Sequence, residues 1–426
     1  MGKNIKLRII PLEERILLDA AIAAVIAHPM TAPDAAVPDS AAKAPQAPPA
    51  DAALQSNQTL KPTIIYVNVN AEGSVHDGKS WATAYTSLQE GLQRASQTSG
   101  TDQIWIAQGT YVPSQIYAPD GVVGGASGLN DTHLKTFDIP DDTSLYGGFK
   151  AGAKTLSQAN PDLYPTILNG DFLNNDINNS ASPNYAASKA DNAWHVVTLG
   201  NDITKTGVDV SLYGLKIING YANGPSGTPT FGSYVYNHNY GGGVVASFDS
   251  NVSINKSTFQ YNYAAGDGGG IFTDNVDLTI NNSKFLNNFA VTRGGALESF
   301  NTIEGSVPHT ANIINSYFQD NRATVFGGAI VGEGTFPNLE SSMNIKNSSF
   351  VHNMAPEGGA ITIDSLTTNI DRSTFTNNIA TVNGGAVATT NIVDSIVGGP
   401  NEFVTTITNS SFINNISKGD LAAHEA

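Results

Sequence analysis

The feature that most constrains the fold is an internal repeat in the C-terminal half of the chain. One half of each unit carries the pattern apolar-x-Asn/Asp-x-Ser-x-Phe-x-x-Asn-x-Ala, and the other half opens with Gly-Gly. A unit of this kind cannot bury its apolar face alone, so the repeat predicts a solenoid whose neighbouring units cover one another. The paired positions are Phe259 with Asn262, Phe285 with Asn288, Phe318 with Asn321, Phe350 with Asn353, Phe375 with Asn378 and Phe412 with Asn415, and the Gly-Gly pairs start at Gly241, Gly268, Gly294, Gly327, Gly358 and Gly384.

The spacing inside the unit indicates where the solenoid varies. From Phe to the next Gly-Gly the distance is nine residues in four units and eight in the fifth, whereas from Gly-Gly to the next Phe it ranges from 17 to 28 residues. One half of each coil is therefore constant, and the insertions at 298–311, 331–342 and 388–404 fall in the other half. Stacking of the coils then puts these insertions on one flank of the molecule.

Short strands with tight corners predict an all-β fold, a right-handed parallel β-helix of the pectate-lyase-like solenoid type. Neighbouring coils of such a fold pair strand on strand at about 4.8 Å, so equivalent residues stack. The Phe column is predicted to fill the core. The Asn column is predicted to bond from coil to coil and to occupy left-handed backbone at a bend, and Gly-Gly allows a tight corner.

These units resemble the repeats of polymorphic outer-membrane proteins, in which Gly-Gly-Ala-Ile is paired with Phe-x-x-Asn. Gly327-Gly328-Ala329-Ile330 and Gly358-Gly359-Ala360-Ile361 carry that signature. Upstream, Asp77-Gly78-Lys79-Ser80-Trp81 and Leu145-Tyr146-Gly147-Gly148-Phe149 are similar to the start of β-helix surface proteins. The resemblance covers about residues 64–417 and implies a bacterial protein that is secreted or held at the cell surface, on the outer membrane.

Residues 63–240 are predicted to form the first coils of the same β-helix, and residues 241–417 the regular ones, followed by a tail at 418–426. A helix that caps the open first coil is predicted after Ser80, because apolar residues follow at helical spacing: Trp81, Ala84, Leu88, Leu92 and Ala95. Strands are predicted at Ile64–Val69, Gln103–Ala107, Gly109–Tyr111, Thr136–Ile139, Ser144–Phe149, Thr166–Leu168, His195–Leu199 and Val208–Ile218.

Two segments precede the β-helix. In residues 1–27, the stretch from Leu12 to Leu18 resembles the L-E-P-R-x-L-L motif of large bacterial surface proteins, with Glu14 in place of Pro. A short amphipathic helix without an addressing role and a cleaved export segment are the alternatives. Residues 28–62 are rich in Ala and Pro and are predicted to form a disordered linker.

Composition excludes several classes of function. The net charge of −16 argues against a nucleic-acid partner, which would need clustered Lys and Arg. The absence of Cys excludes disulfides, thiol nucleophiles and Cys-based zinc sites. No apolar run reaches the roughly 18 residues of a membrane-spanning helix, so no transmembrane segment is predicted.

No arrangement of titratable residues predicts catalysis, a metal or a cofactor. Glu333 and Asp364 share one position in neighbouring units, where a carboxylate pair would suffice to hold a cation or share a proton, but a solvated face is the favoured interpretation. Arg293, Arg322 and Arg372 are isolated at different places in their units, and the eight His residues show no ligand spacing.

The insertion at 221–240 is the candidate ligand-binding segment, because it concentrates the aromatic residues Tyr221, Phe231, Tyr234, Tyr236 and Tyr240. Such rings suit sugar or protein surfaces, although packing of the insertion onto the coil beneath is the favoured interpretation. The predicted function is a non-catalytic surface scaffold that binds a glycan or a host-cell ligand. A carbohydrate-active β-helix enzyme, lyase or hydrolase, and a purely structural spacer are the alternatives, and the oligomeric state is left open.

Overall fold

The computed structural model describes residues 62–98, 101–116, 131–178, 185–199, 209–225, 230–231, 234–235, 238–301, 308–334, 341–390 and 403–419. All of them belong to the unit Pro62–Ala426 of the chain. The predictions for residues 1–27, for 28–61 of the linker and for the tail beyond 419 lie outside the described residues.

All but two of the described strands form three parallel sheets that run along the stacked coils, which is the predicted parallel β-helix. The first sheet has two columns of strands, one after each Gly-Gly pair and one before each Phe, and some strands span both columns. Its strands are Thr63–Val67, Asp102–Ala107, Phe137–Ile139, Thr143–Phe149, Val197–Leu199, Asp209–Tyr213, Val244–Asn255, Ile271–Asn281, Leu297–Asn301, Thr310–Ile314, Ile330–Gly334, Ser342–Lys346, Ile361–Asp364, Thr367–Asp371, Val387–Thr390 and Thr405–Thr408.

The other two sheets are built from shorter strands. The second sheet carries the Phe column, and the third carries the small Ala residues that point into the core. The second sheet comprises Gly109–Tyr111, Thr166–Asn169, Leu215–Ile218, Thr258–Gln260, Lys284–Leu286, Tyr317–Gln319, Ser349–Val351, Thr374–Thr376 and Ser411–Ile413. The third comprises Tyr221–Ala222, Tyr263–Ala264, Phe289–Ala290, Arg322–Ala323, Met354–Glu357, Ile379–Asn383 and Ile416–Ser417.

The Phe column is a continuous stack of rings in the core, as predicted. Neighbouring rings from Phe259 to Phe412 have centroids 4.6–4.8 Å apart and planes within 9° of parallel. Strand pairing sets this spacing, because each Phe lies in register with the Phe of the next coil. The rings from Phe259 to Phe375 are fully buried, and Phe412 in the last described coil is 45% exposed.

The Asn column forms the predicted ladder, with more hydrogen bonds than the sequence suggests. Nδ2 of Asn321 donates to the carbonyl of Phe285 one coil back at 2.9 Å and to Oδ1 of Asn353 one coil forward at 3.0 Å. The backbone N–H of Asn321 donates to the same Oδ1 at 3.0 Å. The ladder therefore binds three successive coils through each buried amide.

The two ends of the ladder differ from its interior. At the first end, Nδ2 of Asn262 donates to the carbonyl of Ile217 at 3.1 Å, because Ile217 takes the place of Phe in the preceding coil. At the last described coil, Oδ1 of Asn415 accepts from both the backbone N–H and the Nδ2 of Asn378 at 2.9 Å. Asn262 and Asn378 are buried, whereas Asn415 is only partly buried, since no further described coil covers it.

The left-handed residue of this bend is not the ladder Asn, which corrects the prediction. Positive φ angles are absent from all six ladder residues, Asn262, Asn288, Asn321, Asn353, Asn378 and Asn415. Positive φ angles of 52–59° occur one position earlier, at Tyr261, Asn287, Asp320, His352, Asn377 and Asn414. The ladder Asn has to turn its amide inward between strands, so the residue before it takes the strained backbone of the corner.

A second ladder runs through the Ser that precedes Phe by two positions. The backbone N–H of Ser316 donates to Oγ of Ser348 at 3.1 Å, and Oγ of Ser316 donates to the carbonyl of Ile314 at 2.8 Å. The same pattern repeats from Ser257 to Ser410. These hydroxyls satisfy backbone groups at a buried corner, where an unpaired group is costly.

The Gly-Gly corners need both glycines, for different reasons. The first has a left-handed backbone, with φ of 56° at Gly327 and similar values in the other units. A Cβ on the second, Gly328, would lie 2.2 Å from the carbonyl oxygen of Gly359 in the next coil. The corner is therefore closed to any residue with a side chain.

The N-terminal cap is a helix, but it is shorter than predicted. Ser80 caps a 3-10 turn at Trp81–Thr83, and the α-helix spans Leu88–Ala95 with Ser87 as its N-cap in a capping box with Glu90. The buried face of this α-helix packs in the hydrophobic core with residues of the first two strands. The remaining described helices are the short Tyr185–Ser188 and the 3-10 turns Thr132–Leu134 and Leu156–Gln158.

The predicted strands occur, with one division. The run 208–218 is split at Gly214, whose φ is 67°, into Asp209–Tyr213 of the first sheet and Leu215–Ile218 of the second. The three downstream insertions all leave the coil between the two columns of the first sheet. The 221–240 insertion instead lies just before a Gly-Gly corner. It therefore precedes a strand of the column that follows Gly-Gly, whereas the other three insertions come after strands of that column.

Candidate ligand-binding surface

The aromatic insertion leaves the third sheet after Tyr221–Ala222 and rejoins the coil at Gly241. Inside it, Thr230–Phe231 and Tyr234–Val235 pair antiparallel, with Phe231 opposite Tyr234. This pair is the single antiparallel pair among the described strands, and it forms a small sheet of its own. Tyr236 and the side chains of Phe231 and Tyr234 lie outside the described part of the molecule.

The two rings at the ends of the insertion pack on the next coil. Tyr221 lies in register with Tyr263, with ring centroids 4.5 Å apart, and Tyr263 is followed by Phe289 at 5.6 Å. Tyr240 packs on Phe272 at 4.8 Å. Since one face of each end ring is covered by a neighbouring ring, Tyr221 and Tyr240 serve at least to hold the insertion on the coil. Ligand contact by the five aromatic residues stays a prediction.

A buried cluster of rings lies at the base of the insertion. Trp194 is stacked between His133, at a centroid distance of 5.6 Å, and His238, at 4.7 Å, and His195 lies 5.7 Å from His238. Trp194, His195 and His238 are 6–7% exposed. Sequence spacing treats these histidines as scattered, but they come from three segments that the coil brings together. In the sequence, the only local sign of this ring cluster is the Trp194-His195 pair just before a strand.

Burial keeps two of these imidazoles neutral. His195 Nδ1 lies 3.0 Å from the carbonyl of Gly241, whereas its Nε2 and both ring nitrogens of His238 are buried without a hydrogen-bond partner. Loss of solvent, helped by the neighbouring His238, lowers the pKa of His195 to about 3. Loss of solvent lowers the pKa of His238 to about 4. A proton on either ring would therefore oppose the packed arrangement.

We expect acid to destabilise this base through His238. The folded pKa of about 4 lies below the unfolded value of 6.5. The stability from a neutral His238 is therefore full above pH 6.5 and is lost as the pH falls from there towards 4. His238→Phe, which cannot take a proton, should show a smaller fall in Tm between pH 7 and pH 4.5 than the natural protein, measured by calorimetry.

The matched control for this experiment is His352→Asn. His352 has a 52% exposed side chain, and its φ of 55° is one that Asn accepts. The control should keep the pH profile of the natural protein. Identical profiles for His238→Phe and the natural protein would contradict the expected role of His238.

A charged cluster lies on the outer face of the first sheet, two coils further on. Arg293 precedes a Gly-Gly corner, and its Nη1 bonds Oε2 of Glu333 in the next coil and lies 3.6 Å from Oε1 of Glu298 in its own coil. Asp267 accepts a hydrogen bond from Thr292 beside them. Arg293 is therefore not isolated, which corrects the sequence-based interpretation. A residue at a corner can contact strand residues that occupy different positions in their repeat units.

The carboxylates of this cluster differ in environment. Glu298 is 1% exposed and its Oε2 has no hydrogen-bond partner, whereas the Glu333 side chain is 16% exposed. Burial, reinforced by the charge of Asp267, raises the pKa of Glu298 well above its usual range against the opposing effect of Arg293. Unequal carboxyls can divide acid and base roles, but Glu298 has almost no exposed surface in this arrangement.

The predicted register of Glu333 with Asp364 is confirmed, since the two residues are paired in neighbouring strands. Within the described residues, no group of three or more His, Asp or Glu side chains is placed to hold a metal ion. None of the helices in the described part is long and apolar enough to cross a membrane.

The repeat of the Chlamydia polymorphic membrane proteins matches the chain at residues 256–274, 315–333 and 372–390. Each match runs from the corner before the Phe through the following Gly-Gly pair, so it contains the Phe, Asn and Gly positions whose stacking is described above. The chain is thus a parallel β-helix protein that carries polymorphic membrane protein repeats. The matched repeat agrees with the sequence-based prediction of a secreted or cell-surface protein.

Three solved structures are similar at low identity. They are Escherichia coli YbhC (13% identity, 84% of this chain and 86% of that chain, TM-score 0.38), the Streptococcus pneumoniae surface adhesin PfbA (11%, 83% and 92%, 0.22), and the A-module of the Azotobacter vinelandii mannuronan C-5 epimerase AlgE6 (13%, 82% and 99%, 0.24). At these values none of the three carries an argument about function. No curated protein is significantly similar to the chain.

Proposed function

We propose that the protein is a non-catalytic surface scaffold whose 221–240 insertion binds an uncharged glycan, either free or on a host cell. The observation that carries the proposal is the composition of this insertion. In a chain with a net charge of −16, the twenty residues from Tyr221 to Tyr240 include no Asp, Glu, Lys or Arg, and they are rich in Tyr, Asn, Gly, Ser and Thr.

This composition suits recognition without ion pairs. Tyr offers a large rigid contact area at a low cost in conformational entropy, and Asn, Ser and Gly add adaptable hydrogen bonding, as in antibody binding loops. Sugar rings present both apolar faces and hydroxyls, which match these groups. An anionic polysaccharide is a poorer candidate, because the acidic protein would repel it.

The anchored base supports the same proposal. An isolated two-stranded hairpin is marginally stable in water, so a binding hairpin needs a support. The Trp194–His238 contact at one end and the Tyr221–Tyr263 contact at the other hold the insertion against the coil. Preorganisation of this kind lowers the entropy lost when a ligand binds.

The test is a Tyr234→Ala/Tyr236→Ala double variant, examined on a glycan array and on host cells. The natural protein is expected to bind, and the double variant to lose binding with an unchanged Tm. Tyr317→Ala is the matched control, because Tyr317 is a partly exposed tyrosine of the second sheet, in a coil without this insertion. Binding that survives in the double variant, or that disappears only together with folding, would contradict the proposal. A natural protein that binds nothing would favour a structural spacer.

A further inference from the structure

A fully buried lysine lies in the segment between the strands Thr166–Asn169 and Val197–Leu199. The Lys189 side chain is 0% exposed, and its Nζ lies 2.6 Å from Oδ2 of Asp176, whose side chain is 3% exposed. Asn178 Oδ1 accepts from the same Nζ at 3.1 Å, and Nδ2 of Asn192 donates to Asp176 Oδ2 at 2.9 Å. An amine and a carboxyl are thus held in contact with almost no exposed side-chain surface.

The ion pair is incompletely satisfied. Asp176 Oδ1 is buried and has no hydrogen-bond partner, which is costly for a carboxylate. Burial raises the pKa of Asp176 although Lys189 and Asn192 both donate to it. Buried ion pairs recover their desolvation cost only when every remaining polar atom is bonded, and this pair does not meet that condition.

We propose that Lys189 and Asp176 condense to an intramolecular amide, a covalent cross-link within the chain. One proton passes from Nζ to the carboxylate, which leaves a neutral amine beside a carboxylic acid. The Nζ lone pair forms a bond to Cγ, the Cγ–Oδ1 bond breaks, and the departing oxygen leaves with two protons as one water. No oxidant, metal or activated co-reactant is consumed.

The hydrogen bonds around Lys189 and Asp176 suit the amide product better than the ion pair. The amide keeps one oxygen, Oδ2, which already accepts from Asn192 Nδ2, and that donor also stabilises the negative charge that develops on this oxygen during attack. The remaining N–H faces Asn178 Oδ1. The orphaned oxygen, Oδ1, is the atom that leaves. Two buried formal charges disappear in the same step.

The contact between Lys189 and Asp176 favours formation of the amide. When two reacting groups are already held in contact, no bimolecular encounter is needed, and a large part of the activation barrier is removed. Exclusion of water favours condensation and protects the amide from hydrolysis. The resulting link closes a ring from 176 to 189 within this segment, so it would stabilise the chain chiefly by constraining its unfolded state.

Mass spectrometry of the denatured full-length chain tests the proposal. The intact mass should lie one water below that of the sequence. Trypsin does not cleave after an acylated lysine, so the digest should contain one peptide spanning 155–205, lighter by one water, in place of a peptide that ends at Lys189. Fragmentation should place the link between Asp176 and Lys189.

Variants identify the reacting atoms. Lys189→Arg and Asp176→Ala should restore the full mass, whereas Asn178→Ala should keep the loss of one water. A natural protein of full mass that trypsin cleaves after Lys189 would overturn the proposal, as would loss of water mapped to another position. Loss of one ammonia in its place would show Asn178 to be the partner and would overturn the assignment to Asp176. The natural protein alone decides these outcomes if a variant fails to fold.

Discussion

Phe318→Ala is expected to lower the free energy of unfolding by about 3–5 kcal/mol, the usual cost of truncating a fully buried aromatic residue. Phe318 is 0% exposed, and its ring lies between Phe285 at 4.6 Å and Phe350 at 4.8 Å. Removal of the ring leaves a cavity and uncovers one face of each neighbour, so stacking is lost on both sides in addition to buried area. Adjacent coils depend on each other for burial, so the damage cannot be confined to one coil.

The measurement is denaturant unfolding followed by circular dichroism. Phe412→Ala is the matched control, because its ring belongs to the same column but is 45% exposed and stacks on Phe375 alone among the described rings. The control should lose clearly less stability. A transition midpoint for Phe318→Ala equal to that of the natural protein would show that the column does not determine stability.

Asn321→Ala is expected to cost about 2–6 kcal/mol, since each buried polar group left without a partner costs about 1–3 kcal/mol. Two backbone groups lose a bond to the Asn321 amide, and Nδ2 of Asn288 loses one of its two acceptors. The backbone N–H of Asn288 donates to Asn321 Oδ1 at 3.0 Å, and the carbonyl of Phe285 accepts from Asn321 Nδ2 at 2.9 Å. Asn321 is 0% exposed, so water cannot replace its amide.

The chain offers a matched control in a second, outer row of asparagines. Asn344 Nδ2 donates to Asn312 Oδ1 at 3.1 Å, but Asn344 is only partly buried. Asn344→Ala should therefore stay within about 0.5 kcal/mol of the natural protein, as most surface substitutions do. Equal losses for the two variants would mean that the inner ladder adds no more than a surface ladder.

The fold was predictable from the sequence because stacking converts a repeated position into a physical column. Phe318 follows Phe285 in space for the same reason that it follows it in the pattern, and the nearly constant number of residues from Phe to Gly-Gly shows which half-coil is uniform. The register of Glu333 with Asp364 could be predicted in the same way. Residues at equivalent positions of neighbouring units lie side by side, and equivalent positions can be read directly from the sequence.

Backbone conformation at the bend was harder to place than the ladder itself. The Phe-x-x-Asn pattern marks the residue whose amide bonds from coil to coil, as at Asn262, Asn378 and Asn415. The left-handed position beside it is filled by different residue types, such as Tyr261 and His352, so it leaves no constant letter in the repeat. A column of identical side chains therefore predicts contacts between coils, but not which residue of a corner has the positive φ.

Contacts between unequal offsets could not be predicted in this way. Arg293 reaches Glu298 and Glu333 across a corner, and His238 meets Trp194 through a long insertion. The same limit hid the ion pair of Lys189 and Asp176, which depends on how an irregular segment folds back. The helix start was misplaced for a local reason, because two serines, Ser80 and Ser87, both offer a suitable cap.

The division of each coil into a constant and a variable half has an evolutionary consequence. Both ladders and the aromatic stack lie between the strand before the Phe and the Gly-Gly corner, whereas the three downstream insertions leave after the strand that follows Gly-Gly. A mutation that lengthens or shortens the chain between these two strands alters no residue of the two ladders or of the aromatic stack. Selection can therefore change the exposed surface while the residues of the ladders and the aromatic stack stay the same.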